Sequence, residues 1–287
     1  MHRIIKVCAV IAAVIHGSAA EPAPSVPIEF LSGGGHVRGQ FFEGVGADPI
    51  ATLILVPGWP GNPNDVLGLG ALLAPLHVNV LTFNPRGLHQ SEGTHTHAGT
   101  LEDIAAALTW IRQSSTCERF RVDANRIAIG GHCYGGGMAM AYAAADTSVR
   151  RVISIAGNDH GYFVRRMQSD PIFAAGIRQM MMGTRAPQGP ARFDLDAGLI
   201  ELADHQDVYG LRENATRLAD RSILLVGGWE DEQTAVEDVE LPVYRSLKAA
   251  GAADVTFLTY HDNHGFQTVR QQLAADIQQW LARHMPK

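Results

Sequence analysis

Cysteine is scarce in this chain: its 287 residues hold three, Cys8, Cys117 and Cys133. That excludes a small scaffold stapled by disulfides. Cys8 lies inside an N-terminal apolar run. Between Cys117 and Cys133 runs a short strand pattern, whose six extended residues would part its ends by about 20 Å. A disulfide tolerates about 7 Å between Cα atoms, so Cys133 is expected as a thiol and Cys117 as a packing residue. Positive charge is also short. Lys and Arg number 23 against 29 Asp and Glu, a formal net charge of −6, which argues against nucleic acid or an anionic membrane as partner. The N-terminal apolar run, Val7 to Ile15, is too short to span a bilayer, and no stable membrane association is expected. Neither a Gly-rich phosphate loop ending in Lys-Ser/Thr nor a dinucleotide fingerprint is present. His95-x-His97 lacks the third and fourth ligands that zinc requires. No cofactor and no metal are therefore expected. Internal repeats and low-complexity segments are missing too.

What is there begins with a leader. Arg3 and Lys6 precede the apolar run, and Ser18-Ala19-Ala20 follows it. This pattern predicts a signal peptide over residues 1–20, cut after Ala20, and a secreted or periplasmic protein. Residues 21–287 are enough for one large domain. Strands are predicted near Ala51–Val56, Val78–Phe83, Arg126–Ile129, Arg151–Ile155, Ser222–Val226 and Val255–Tyr260, after a hairpin of residues 28–31 and 39–42 turning at Gly33-Gly34-Gly35. Apolar residues at period 3.6 predict helices through Leu101–Ile111 and Phe266–Leu281. Alternating strand and helix implies α/β architecture, a mostly parallel twisted sheet of about eight strands with helices on both faces. Residues 158–220 interrupt the alternation. Ser169-Asp170-Pro171 is a helix start there, and 193–203 and 208–218 also suggest helices.

The chemistry centres on Gly131-x-Cys133-x-Gly135, between the run Ile127–Ile129 and an Ala/Met/Gly-rich helix pattern. A strand turning sharply into a helix strains its apex residue, and side chains two positions either side would collide. The apex thiol would stand at a helix N-terminus, where the dipole favours negative charge and lowers its pKa. Downstream, Ile223–Val226 leads to Gly227-Gly228-Trp229-Glu230-Asp231. Val255–Tyr260 leads to His261-Asp262-Asn263-His264-Gly265-Phe266. Nucleophile, acid and histidine stand in the chain order of the α/β-hydrolase triad.

On these residues the chain resembles the α/β-hydrolase superfamily. Leu53–Val56 with Pro57-Gly58-Trp59-Pro60-Gly61 resembles its strand and oxyanion loop. Asn84-Pro85-Arg86-Gly87 resembles its Arg-Gly loop, with Asn84 where Asp is commoner and Arg86 read as a brace between loops. The Cys elbow is similar to that of dienelactone hydrolase, although Gly58 to Asp65 lacks that family's Glu. The Trp229-Glu230-Asp231 and His264-Gly265-Phe266 segments look like secreted prolyl-oligopeptidase-like esterases.

The resemblance implies a triad of Cys133, Asp231 and His264, and an oxyanion hole of the Trp59 and Tyr134 backbone N–H groups. Residues 158–220 become a helical cap, with Trp59, Tyr134, Phe173, Met180 and Met181, and beside them Met167 and Met182, as an apolar substrate wall. Glu230, Glu232 and Asp238 are rivals for the acid, and His261 for the base; His132 is expected to point away from the site. The function implied is hydrolysis of small-molecule carboxylic esters, lactones or thioesters through an acyl-enzyme. The alternatives are an acyltransferase, as in the bile-acid enzymes that also use Cys, or a silent binding protein in which Cys has replaced Ser.

Overall fold

Alternation along the apolar runs decides the layers. Residues 24–286 are described in the computed structural model, so the expected signal peptide lies outside them. Within them eight strands form one sheet: β1 (Ser25–Ser32), β2 (Gly35–Phe42), β3 (Ile50–Val56), β4 (Asn79–Phe83), β5 (Val122–His132), β6 (Arg151–Ile155), β7 (Ser222–Gly228) and β8 (Val255–Tyr260). Their spatial order is β1-β2-β4-β3-β5-β6-β7-β8. The pairs β1–β2 and β2–β4 are antiparallel and the others parallel. The hairpin turns where the glycine run predicted, with Gly33 and Gly34 both at positive φ.

Successive side chains of a strand point to opposite faces, and both faces here are apolar. Leu53 and Leu55 of β3 join the core on one side, Ile54 and Val56 that on the other. Four helices precede β6: α1 (Leu69–Leu73), α2 (His97–Ile111), α3 (Ser114–Phe120) and α4 (Tyr134–Ala145). Five stand between β6 and β7: α5 (His160–Ser169), α6 (Pro171–Thr184), α7 (Leu195–Asp204), α8 (Gln206–Tyr209) and α9 (Ala215–Leu218). Then α10 (Glu240–Ala249) follows β7, and α11 (Arg270–His284) follows β8. Leu69 and Leu73 of α1 pack with Leu273, Ile277 and Trp280 of α11 on one face of the sheet. Ile104 and Leu108 of α2, Met138 and Met140 of α4 and Val243 of α10 cover the other. Each such side chain, fully buried, contributes about 1.5–3 kcal/mol.

Two predicted helices differ. The C-terminal one begins at Arg270, after Phe266 and Val269. Phe266 is buried in a turn with φ 47°, its ring edge-on to Tyr260. Being apolar, it mimicked a helix stripe while serving the core from a loop. The pattern 208–218 is broken into α8 and α9, because Leu211 N–H goes to Asp159 Oδ1 (2.9 Å) and the Asn214 amide is spent on the Val208 and Gly210 carbonyls. Asn214 is buried, which takes the formal Asn214-Ala215-Thr216 glycosylation signal out of reach in the folded chain. Asp159 is fully buried and also pairs with Arg212 at 2.9 Å. One carboxylate thus joins the start of the helical segment to its end.

Candidate active site

The three strands β5, β7 and β8 run parallel and end at the same edge, so the residues just beyond them converge. Cys133 follows β5 directly and is the N-cap of α4, at φ 54° and ψ −120°. Its N–H donates to the Ile155 carbonyl (2.9 Å) and its carbonyl accepts from Asn158 (3.0 Å). The glycines around it are sterically required. A Cβ on Gly131 would stand 2.3 Å from the Gly135 carbonyl carbon, and one on Gly135 would stand 2.2 Å from the Val56 oxygen. Cys133 and Cys117 are not joined to each other; Cys117 donates its thiol to the Ile111 carbonyl at 3.3 Å.

Asp231 lies in the turn after β7 and His264 in the turn after β8. His264 Nδ1 donates to Asp231 Oδ2 at 2.7 Å, and Thr234 Oγ1 donates to the same oxygen at 2.7 Å. The other oxygen accepts the N–H groups of Gln233 (2.8 Å) and Thr234 (3.0 Å). Burial by itself opposes charge on both partners. For His264, hydrogen bonds with Asp231 and Cys133 outweigh it and raise the imidazole to about 10. For Asp231, the bonds from His264 and Thr234 outweigh it and bring the carboxyl to about 2. The rival groups are placed differently. His261 is exposed and pairs with Glu230 at 3.3 Å; Glu232 lines the cavity but is exposed, as is Asp238.

His132 does not point away. Its Nε2 donates to the His264 carbonyl at 2.8 Å and its ring lies 4.5 Å from that of His264. Burial, then the neighbouring charge of His264, push it down to about 3, so it stays neutral. Glu240, at the start of α10, is also buried, close enough to Asp231 and His264 to feel their charges. Burial, reinforced by the charge of Asp231, pushes its carboxyl up to about 9.

The loop after β3 closes the other side. A Cβ on Gly58 would stand 3.0 Å from that of Cys133, which places the start of the loop against Cys133. Asn84 holds this loop, donating to the Asn62 carbonyl (2.8 Å) and accepting from the Asn62 N–H (2.8 Å). Arg86 braces loops, as read from the sequence, donating to Asp103 and Ser32. Tyr134 is the first residue of α4, where backbone N–H groups have no intrahelical acceptor.

Cys133 opens onto a cavity of about 540 Å³ beneath α6 and α7. Trp59, Tyr134, Phe173, Met180 and Met181 all line it, whereas Met167 and Met182 do not. Trp59 is fixed by its indole N–H, which donates to Thr184 Oγ1 at 2.9 Å. A cluster that sequence reading missed forms another wall: His95, His97 and His160 surround the Tyr134 ring at 5.3–5.8 Å between centroids. The Tyr134 hydroxyl donates to Thr100 Oγ1 and accepts from His95 Nε2, both at 2.9 Å. Burial pushes His95 and His160 down to about 3, so both are neutral.

The family whose description is alpha/beta hydrolase fold matches residues 51–205, more than half of the chain. The chain belongs to the α/β-hydrolase fold family. This α/β-hydrolase is 32% identical over 124 residues to the uncharacterized protein YfhR of Salmonella typhimurium strain LT2, covering 42% of this chain and 41% of that one. It is 30% identical over 120 residues to YfhR of Escherichia coli strain K12, covering 40% of each. The chain thus spans about two fifths of the length of these curated relatives. Solved structures are similar to this chain over most of their length. Est1E from Butyrivibrio proteoclasticus has TM-score 0.64 at 14% identity, covering 91% of this chain and 99% of that one. The Pyrococcus furiosus esterase Pf2001 has TM-score 0.64 at 14% identity, covering 91% and 92%. The α/β-hydrolase GrgF from Penicillium sp. sh18 has TM-score 0.65 at 20% identity, covering 92% and 100%. At these identities the likeness concerns the fold.

Proposed function

We propose that this α/β-hydrolase cleaves carboxylic esters, lactones or thioesters through a covalent intermediate on Cys133. The observation that carries the reading is the His264–Asp231 bond of 2.7 Å at the same sheet edge where Cys133 caps α4 at φ 54°. His264 takes the proton of the Cys133 thiol, leaving a thiolate facing an imidazolium for the attack. Sulfur attacks the acyl carbon, and the Trp59 and Tyr134 N–H groups hold the oxyanion. As the C–O bond breaks, His264 passes its proton to the leaving alkoxide. His264 then takes a proton from water, hydroxide attacks the thioester, and the C–S bond breaks to return the thiolate. Asp231 holds the ring and its charge throughout. Helices α6 and α7 are the cap that shapes the substrate site. Export follows from the leader-like residues 1–20, and the esterase names among the structural neighbours support the reaction class.

The test is hydrolysis of p-nitrophenyl acetate and butyrate by the wild type, Cys133→Ala and Cys133→Ser, with iodoacetamide and intact mass on the wild type. The expected result is turnover that Cys133→Ala abolishes, and that a single alkylation at Cys133 blocks. Silence in the wild type with turnover in Cys133→Ser would overturn the proposal and favour a binding protein.

A further inference from the structure

The wall of the cavity away from the mechanism carries more polar chemistry than an apolar substrate needs. Glu201 of α7 accepts four hydrogen bonds there: from the His97 N–H (3.0 Å), His97 Nδ1 (3.3 Å), the Ala98 N–H (2.6 Å) and the Tyr209 hydroxyl (2.7 Å). Burial raises a carboxyl, but these donors outweigh it and hold Glu201 at about 2. The carboxylate fixes the His97 ring through Nδ1 and leaves its Nε2 edge unused by the pair. His97 itself lines the cavity, only 12% of its side chain exposed. The arrangement is that of an imidazole held by a carboxylate so that its other nitrogen meets a ligand, yet it lies apart from the triad. By contrast, the hydroxyl of Tyr134 is already spent on His95 and Thr100.

Charge narrows what that ligand is. Among the described residues the lining includes the carboxylates Asp194, Glu201 and Glu232 and no Lys or Arg. His95 and His160 are neutral, so nothing there offers an anion a net positive field, and the His97–Glu201 pair carries at most zero charge. An anionic group would lose its hydration for no compensating partner. The apolar part of the wall comes from Phe163, Phe173, Ile177, Met181, Phe193 and Leu199.

We propose that His97, oriented by Glu201, is the specificity-determining group of this cavity, and that the part of the substrate buried there is uncharged, apolar along its body and ends in a hydroxyl that His97 hydrogen-bonds. The proposal rests on the reading of this cavity as the substrate site. Its test is independent of turnover. Dissociation constants of 4-propylphenol, propylbenzene and 4-propylbenzoate are measured calorimetrically on the full chain, wild type and His97→Phe. In the wild type the phenol binds about tenfold tighter than propylbenzene, the size of one well-placed hydrogen bond, and the benzoate binds weakest. In His97→Phe the phenol-to-propylbenzene ratio falls to near one. Equal binding of the three, tightest binding of the benzoate, or a phenol preference that survives His97→Phe would each overturn it. Should His97→Phe not fold, the wild-type ranking and Glu201→Gln, expected to shrink the preference, decide the matter. Ester turnover without the phenol preference removes this inference alone. A phenol preference in a protein that turns over no ester removes the hydrolase reading alone.

Discussion

At Asp231 each carboxylate oxygen accepts two donors, and one of the four is the imidazole that has to be held. Asp231→Asn presents an amide to a set built for an acceptor and leaves His264 in the wrong tautomer. The expected loss in kcat is about 10³–10⁴-fold, with little change in KM. Thr234→Val removes one donor and is expected to lower kcat by roughly tenfold. His132→Phe keeps the ring but drops the 2.8 Å bond to the His264 carbonyl. If it positions the histidine turn, kcat falls by about tenfold while KM holds; a raised KM with kcat unchanged would assign it to binding instead. The catalytic candidates were legible because each is announced by its own neighbours: glycines around Cys133, a strand end before Asp231, a strand end before His264. Glu201 and the cluster of His95, His97 and His160 had no such herald. Their partners come from separate segments, and only the fold brings α2, α4, α5 and α7 together.

Among the elements, the strand–turn–helix of β5 and α4 carries the tightest constraint. A Cβ on Gly135 meets Val56 backbone at 2.2 and 2.5 Å, which no rotamer change relieves. Gly135→Ala must push α4 from β3 and is expected to destabilise by about 3 kcal/mol, read as a lower urea midpoint at unchanged slope. That constraint is local, so the sequence displays it plainly. The helical segment after β6 is the opposite case. Asp170-Pro171 marked the start of α6, and Asp170 does cap it, accepting the Ile172 (3.1 Å) and Phe173 (3.0 Å) N–H groups. The interruption between α8 and α9 stayed hidden, because the carboxylate that competes for the backbone, Asp159, is about fifty residues away in sequence. Phe266 misled for a related reason: a buried loop residue and a helix-stripe residue share the same hydrophobicity.

For the whole molecule, the site's ionisable groups make stability fall as pH rises above the ordinary imidazole value. His264 is raised from 6.5 to about 10, so its contribution is whole below 6.5 and is lost as pH rises through about 10. Glu240 is raised from 4.5 to about 9; the folded state keeps its proton longer, and stability declines as pH climbs between those values. Asp231, lowered from 3.8 to about 2, contributes above 3.8 and loses that only as pH falls through about 2. His95, His132 and His160, lowered from 6.5 to about 3, work the other way below 6.5, where stability falls with falling pH. Urea midpoints measured from about pH 7 to about pH 9 are expected to decrease, and Glu240→Gln to flatten the decline; a midpoint rising over that window would contradict the assignment. The mostly parallel sheet with helices on both faces was readable from the alternation of strand and helix alone, since such a sheet is covered on two sides. The junction at Asp159 has an engineering meaning. The chain leaves and re-enters the sheet beside one carboxylate, with β6 and β7 already paired from Arg151–Ser222 to Ile155–Val226. A graft replacing residues 160–210 would therefore have to keep the Asp159–Leu211 bond and Arg212 pair and replace the core contacts of Val164, Leu202 and Tyr209, while β6 and β7 stay in register.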